Sequence, residues 1–256
     1  MKNKIIEYLI RFKRFLRHRK FELITYHITK DLEKNEKILK ELDFDLEFIR
    51  STLASSDLNY NDPKLSWHYH LFSAISRNKK ELKILEIGTH LGKFTNFLSK
   101  IFENSEIHSV DLPHNDDLFI NSYFRNDLEY KKKFLKDRTI NLKRDNISFY
   151  EMNSINLINN FSNETFDIIW LDGDHTQPQV SIDTFSAYLL LKKGGLLICD
   201  DIMFQKNGDN KFKENDGFKS IDYLSKINNL KTVYLVKRMH FSNAYYKKYI
   251  SLTVKT

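Results

Sequence analysis

Asp172, Asp174 and His175 stand together in the stretch Phe166-Asp-Ile-Ile-Trp-Leu-Asp-Gly-Asp-His175, and Asp200 and Asp201 in Gly194-Gly-Leu-Leu-Ile-Cys-Asp-Asp201. Each group directly follows a short apolar run, Ile168 to Leu171 in the first and Leu196 to Cys199 in the second. Such runs predict strands covered on both faces. If the two strands are neighbours in one parallel sheet, Asp172, Asp200 and Asp201 meet at one edge. Carboxylates gathered this way need a cation or a proton to hold them, because unpaired charge away from water is costly. The ordinary alternative is that the three acids cap helices and bind water at strand ends, where acidic residues are common.

The elements that must position these groups follow from the apolar pattern. Lys83-Ile-Leu-Glu-Ile-Gly88 predicts a strand and a glycine turn, and the run Glu86-Ile-Gly-Thr-His-Leu-Gly92 leads into a helix reaching about Phe102. Strand, glycine turn and helix open a doubly wound nucleotide-binding fold. The Gly-x-x-x-Gly spacing is not that of a pyrophosphate binder. Glu86, two residues ahead, would repel a phosphate and suits a ligand carrying a positive amine. Glu106 to Val110 predicts a second strand ending in Asp111, an acid placed to accept ribose hydroxyls. Ile147 to Met152 predicts a third strand, with Asn153 and Ser154 at its end. Helices are expected over 179–191 and 217–227, and strands over 231–236 and 249–254. The pattern is βαβ alternation to the fifth strand, then a strand pair. Residues 112–146 are longer and more polar than a normal crossover and make a candidate lid. Ahead of the first strand, Leu65 to Ser76 reads as a helix with the cluster Trp67-His-Tyr-His70. Trp67, Tyr69 or His70 either line a pocket or form a packed face, and two histidines at i and i+2 do not share a helix face.

Net charge is +7 over 256 residues, and residues 1–20 alone carry eight Lys and Arg against Glu7, also +7. The remainder sums to zero, so the basicity belongs to an N-terminal arm. Residues 4–54 read as helical with an apolar stripe, giving a basic helical extension over 1–56 ahead of the main domain at 57–256. Two readings stand for the arm: contact of residues 1–20 with an anionic membrane surface, or packing on the domain or a second subunit. No apolar run approaches a membrane span, and charges interrupt any signal-peptide core. A single cysteine excludes a disulfide within the chain and fits a reducing cytoplasm.

Taken together, Glu86-x-Gly-x-x-x-Gly92, Asp111, the Asp167–Asp172 strand and Gly194-Gly195 with Asp200-Asp201 resemble the class I S-adenosylmethionine-dependent methyltransferases, over residues 65–256. Leu171-Asp-Gly-Asp-His175 with Cys199-Asp-Asp201 looks more narrowly like metal-dependent O-methyltransferases of the macrocin and novobiocin type, which act on sugar hydroxyls. The resemblance implies a Rossmann-like, seven-stranded α/β sheet with its last strand antiparallel. It implies S-adenosylmethionine over Glu86, Gly88, Thr89, His90, Leu91 and Gly92, its ribose at Asp111, its adenine near Asn153 and Ser154, and Asp172 close by. It also implies Mg2+, or Mn2+, on Asp172, Asp200 and Asp201, with Asp174 or His175 as general base. An oxygen-only ligand set suits such a hard ion. A bound ion lowers the pKa of an acceptor hydroxyl, and the base then takes its proton.

The function this implies is O-methylation of a sugar or sugar-containing small molecule, with bacterial surface polysaccharide as its setting. Two rivals are a nucleic-acid or protein methyltransferase and a non-catalytic cofactor-binding protein. The neutral main domain and the absence of an Asn/Asp-Pro-Pro-aromatic motif disfavour nucleic acid, and the acidic set disfavours the non-catalytic reading. Assembly with a second copy of the chain remains open.

Overall fold

The computed structural model describes residues 27–78, 81–204, 214–239 and 247–256. The basic arm at 1–20 lies outside them. Seven strands form one sheet: β1 (Lys83–Ile87), β2 (Glu106–Asp111), β3 (Ile147–Glu151), β4 (Phe166–Leu171), β5 (Leu191–Ile202), β6 (Thr232–Val236) and β7 (Tyr249–Val254). Their order is β3-β2-β1-β4-β5-β7-β6. β1 to β5 pair in parallel, and β7 runs antiparallel between β5 and β6. This is the doubly wound α/β sheet expected, with its last strand antiparallel.

The central strands form because nearly every side chain on them is apolar and both faces are covered. In β4 only Asp167 escapes burial. The helices are α1 (27–41), α2 (Leu46–Ser55), α3 (His68–Ile75), α4 (Lys93–Ile101), α5 (Asp117–Asn121), α6 (Leu128–Asn141), α7 (Leu157–Asn160), α8 (Gln179–Leu190) and α9 (Asp216–Ile227). Local caps set their starts. Asp45 accepts from the amides of Glu47 and Phe48, Asp127 from Tyr130 and Asn215 from Phe218, each satisfying backbone donors that a helix start leaves free.

The continuous N-terminal helix expected from the sequence breaks at residues 42–45, where Asp43 takes a left-handed φ of 61°. α1 and α2 share the main core through Leu39, Ile49 and Leu53. α1 also closes an edge of the sheet. Buried Asn35 donates to the Val236 carbonyl and accepts from the Val236 amide, both at 2.9 Å. That amide stands in for a neighbouring strand on the edge strand β6. Among the described residues, no helix is long and apolar enough to cross a membrane.

The order of the last three strands decides what reaches the active edge. β7 runs against its neighbours, so its start and the end of β6 lie beside the C-terminal end of β5. Lys237, just after β6, and Lys248, just before β7, are joined there by a backbone hydrogen bond of 2.8 Å.

Candidate active site

The chain winds outward from β1 to β3 on one side and from β4 to β5 on the other. Open α/β sheets bind ligands at such a switch, outside the C-terminal ends of the strands. The glycine turn leaves β1 there, and the acidic turn leaves β4.

The glycine turn has left-handed backbone at Gly88 (φ 101°), His90 (φ 50°) and Gly92 (φ 70°). A Cβ on Gly88 would fall 2.2 Å from the Asp172 carbonyl oxygen, and the Asp172 amide donates to Ile87 at 2.8 Å. The two turns therefore touch backbone to backbone. Asp111, at the end of β2, accepts from the amides of His90 and Leu112, both at 2.8 Å. Thr89 turns inward, its hydroxyl 2.6 Å from that of Ser109, so it offers the site only backbone. Leu91 accepts from Asn141 at 2.8 Å, which ties α6 to the turn. Asn153 caps Ile155, and Ser154 accepts from Gln179 at 2.9 Å.

Glu86 is buried at 1% exposure and accepts from Ser109 at 2.6 Å and from Thr95. Burial pushes its carboxyl up to about 8, against those two hydrogen bonds. It is a neutral acid at pH 7, ready to ionise when a cation arrives.

The insertion is anchored at one end and open at the other. Phe134 and Arg138 of α6 are buried, Phe134 lying 5.2 Å from the His90 ring and Arg138 bonding Glu151 at 2.7 Å. Between α5 and α6, Tyr123 and Phe124 are exposed, as is Leu128 at the start of α6. The C-terminal half of α6 is therefore packed on the domain rather than solvated all round.

Beyond the acidic turn, Asp172, His175, Asp200 and Asp201 meet, while Asp174 turns away. Asp174 is exposed and its Oδ1 is engaged by the amide and hydroxyl of Thr176 at 2.9 and 2.7 Å. His175 Nε2 lies 3.5 Å from Asp172 Oδ1 and 3.9 Å from Asp201 Oδ2. These distances attract but are long for a hydrogen bond, so Nε2 is not committed. Burial pushes the His175 imidazole down, but Asp172, Asp201 and Asp200 outweigh it and lift it above the usual histidine range. Asp172 is held below the usual carboxylate range: burial opposes this, and His175 and Lys237 outweigh burial.

The metal expectation meets an obstacle. Lys237, 7% exposed, places its ammonium against Asp200 Oδ2 and 2.6 Å from Asp201 Oδ1, and Lys248 lies 2.6 Å from Asp201 Oδ2. The two lysines engage three of the four carboxylate oxygens of Asp200 and Asp201. Asp201 is held down at about 2, where the lysine charges outweigh burial. Asp200 is pushed up to about 8 by burial and by Asp172. Among the described residues, no group of three or more His, Cys, Asp or Glu is arranged to hold a metal ion. As they stand, Asp172, Asp200 and Asp201 do not fit Mg2+ or Mn2+: three of the four oxygens of Asp200 and Asp201 are engaged by ammoniums.

Three contributors escaped sequence reasoning. Lys237 and Lys248 carried no motif. The third is His68, the member of Trp67-His-Tyr-His70 not proposed to line a pocket. Trp67 and His70 stack at 4.3 Å in the core, and His70 bonds the Tyr60 carbonyl at 2.9 Å. His68 sits over Trp170 at 5.0 Å and near Phe94 at 4.4 Å. Its Nδ1 lies 2.9 Å from the Ser66 hydroxyl, and its buried Nε2 has no partner among the described residues. Burial pushes this imidazole down to about 3, against the pull of Asp172, so it is neutral across the working range. Trp67 is also tied to the cluster: its amide donates to the Lys237 carbonyl at 2.7 Å.

Residues 85–202, which span the glycine turn and both acidic groups, match the family described as "Methyltransferase domain". A solved structure shares the fold. A protein from Staphylococcus aureus described as a candidate caffeoyl-CoA O-methyltransferase is 16% identical at a TM-score of 0.50, over 88% of this chain and 98% of that one. The O-methyltransferase from Bacillus cereus in complex with SAH is 16% identical at a TM-score of 0.48, over 89% and 100%. No curated protein matches this chain by sequence. The family match ends at Ile202, so Lys237 and Lys248 come from outside the matched segment.

Proposed function

We propose that this protein is a class I S-adenosylmethionine-dependent methyltransferase that transfers the methyl group of its cofactor to a hydroxyl of a sugar or sugar-containing small molecule, of the kind found in bacterial surface polysaccharides. The observation that carries the reading is the uncommitted His175 Nε2, set among carboxylates one turn from the glycine turn. An aliphatic hydroxyl is a poor nucleophile while protonated. His175 takes that proton at Nε2 as the oxygen attacks the methyl carbon. The carbon–sulfur bond breaks, its electron pair returns to sulfur, and the sulfonium charge is lost. Asp172 and Asp201 stabilise the imidazolium that forms. The sulfonium needs no activation beyond in-line placement. The sugar-type resemblance supports a polyol acceptor. A metal-assisted form, with Mg2+ on Asp172, Asp200 and Asp201, requires Lys237 and Lys248 to withdraw first.

Incubation with S-adenosylmethionine labelled in its methyl group should move label into nucleotide-linked sugars or polysaccharide fragments, and base should not release that label as an ester would. Label in protein or nucleic acid instead would overturn the acceptor class.

Glu86 supplies a separate test of the cofactor's place. It holds a proton at pH 7 in the free protein, and an adjacent ammonium favours its ionised form. Cofactor binding should therefore release about one proton per site, and affinity should rise with pH until about 8. Calorimetry in two buffers of different ionisation heat measures this directly. Equal heats in both would place the amine away from Glu86.

A further inference from the structure

The lysines beside Asp200 and Asp201 are positioned by the fold and not by chance side-chain reach. Lys237 has its amide bonded to the Lys248 carbonyl and its own carbonyl bonded to the Trp67 amide, at 2.8 and 2.7 Å. Both backbone groups are thus engaged, one by the β6–β7 pair and one by the start of α3. Its side chain, 9% exposed, runs inward to end between Asp200 and Asp201.

We propose that Lys237 is the resident cation of this carboxylate cluster, standing where the sugar-type resemblance puts a divalent metal, so that the enzyme turns over without one. A buried ammonium and buried carboxylates each need the other, and removing either strands a charge. A divalent ion added to the cluster would sit against two ammoniums already held there. Mg2+ also asks for near-octahedral oxygen ligands, and only Asp200 Oδ1 of the Asp200–Asp201 pair is without a hydrogen-bond partner among the described residues. Lys237 acts here as a positioning residue, fixing the carboxylates that face His175. Its occupancy of the cluster is independent of the reaction, while the consequence for turnover rests on the proposed methyl transfer.

Mn2+ titration of the full chain, followed by the electron paramagnetic resonance of free Mn2+, tests the assignment. Wild-type protein and Lys237→Arg should show no saturable binding, and wild-type Tm should be equal in EDTA and in Mg2+. Lys237→Met should gain a saturable Mn2+ site and a Tm that rises with the metal. Saturable binding by wild-type protein, or none by folded Lys237→Met, overturns the proposal. If Lys237→Met does not fold, the wild-type titration decides alone. Turnover lost in EDTA and restored by Mg2+ also overturns it. SAH calorimetry on the same samples separates the two readings: no SAH binding removes the methyltransferase and leaves the Mn2+ result standing.

Discussion

Replacing His175 by glutamine is expected to lower kcat by on the order of 10²- to 10⁴-fold, the usual worth of a positioned base, while SAH affinity stays unchanged. Glutamine keeps the size of the side chain and a polar end but cannot take a proton near neutral pH. Two turn residues compete for the role, and geometry separates them. Asp174 Oδ1 is occupied by the amide and hydroxyl of Thr176. His175 Nε2 faces Asp172 and Asp201 at distances that leave it able to take a proton. Asp174→Asn should accordingly lose little turnover. The pH profile carries a second signature. Neighbouring carboxylates outweigh burial and lift the His175 imidazole, so the neutral, competent form appears only as pH rises through a value above the ordinary ~6.5. Wild-type kcat/KM should climb through that range, and His175→Gln should lose the limb. Turnover by His175→Gln within about tenfold of wild type, with Asp174→Asn falling instead, would assign the proton to Asp174.

The pattern of strands was legible because apolar runs ending in glycine or acid leave little choice of structure. β1, β2 and β4 begin and end within a residue of expectation, and the convergence of Asp172 with Asp200 and Asp201 follows once β4 and β5 pair in parallel. β5 runs longer than its apolar core, through Gly194 and Gly195 to Leu191, because neighbouring backbone keeps pairing where side chains no longer signal a strand. What stayed hidden depends on long-range order. Lys237 reaches Asp200 only because β7 is inserted antiparallel between β5 and β6, and nothing in Val236-Lys237-Arg238 records that. The histidines of α3 posed a phase problem. Residues two apart on a helix point about 200° from each other, so one of His68 and His70 had to face the core and the other the site. Sequence alone gave no way to say which. The break between α1 and α2 was masked by continuous helical periodicity, and Asp45 as a cap is the signal that marks it.

Gly88→Ala is expected to be among the most damaging single changes in the chain, and its cause can be isolated. Two terms add. At φ 101° any side chain is strained, a cost of roughly 1–3 kcal/mol. The new methyl also meets the Asp172 carbonyl oxygen at 2.2 Å, with the Asp172 carbon at 2.6 Å and the Gly173 nitrogen at 2.9 Å. All three are backbone atoms, so no rotamer change relieves the contact, and overpacking of this kind costs about 1–3 kcal/mol more. The sum, roughly 2–6 kcal/mol, corresponds to a fall in Tm on the order of 5–20 °C for a domain of this size. Gly194→Ala is the matched control. Gly194 also has a left-handed φ, 77°, but nothing lies within 4 Å of its would-be Cβ. It should show strain alone, about 1–2 kcal/mol, and keep SAH binding. Gly88→Ala should lose SAH binding even at temperatures where it remains folded, because relief comes only by parting the glycine turn from the acidic turn. Thermal melts and SAH calorimetry on the two variants measure both effects. Equal losses in the two would mean that the approach of Gly88 to Asp172 contributes nothing. A larger loss in Gly88→Ala makes that contact the joint that holds the glycine turn against His175 and the carboxylates.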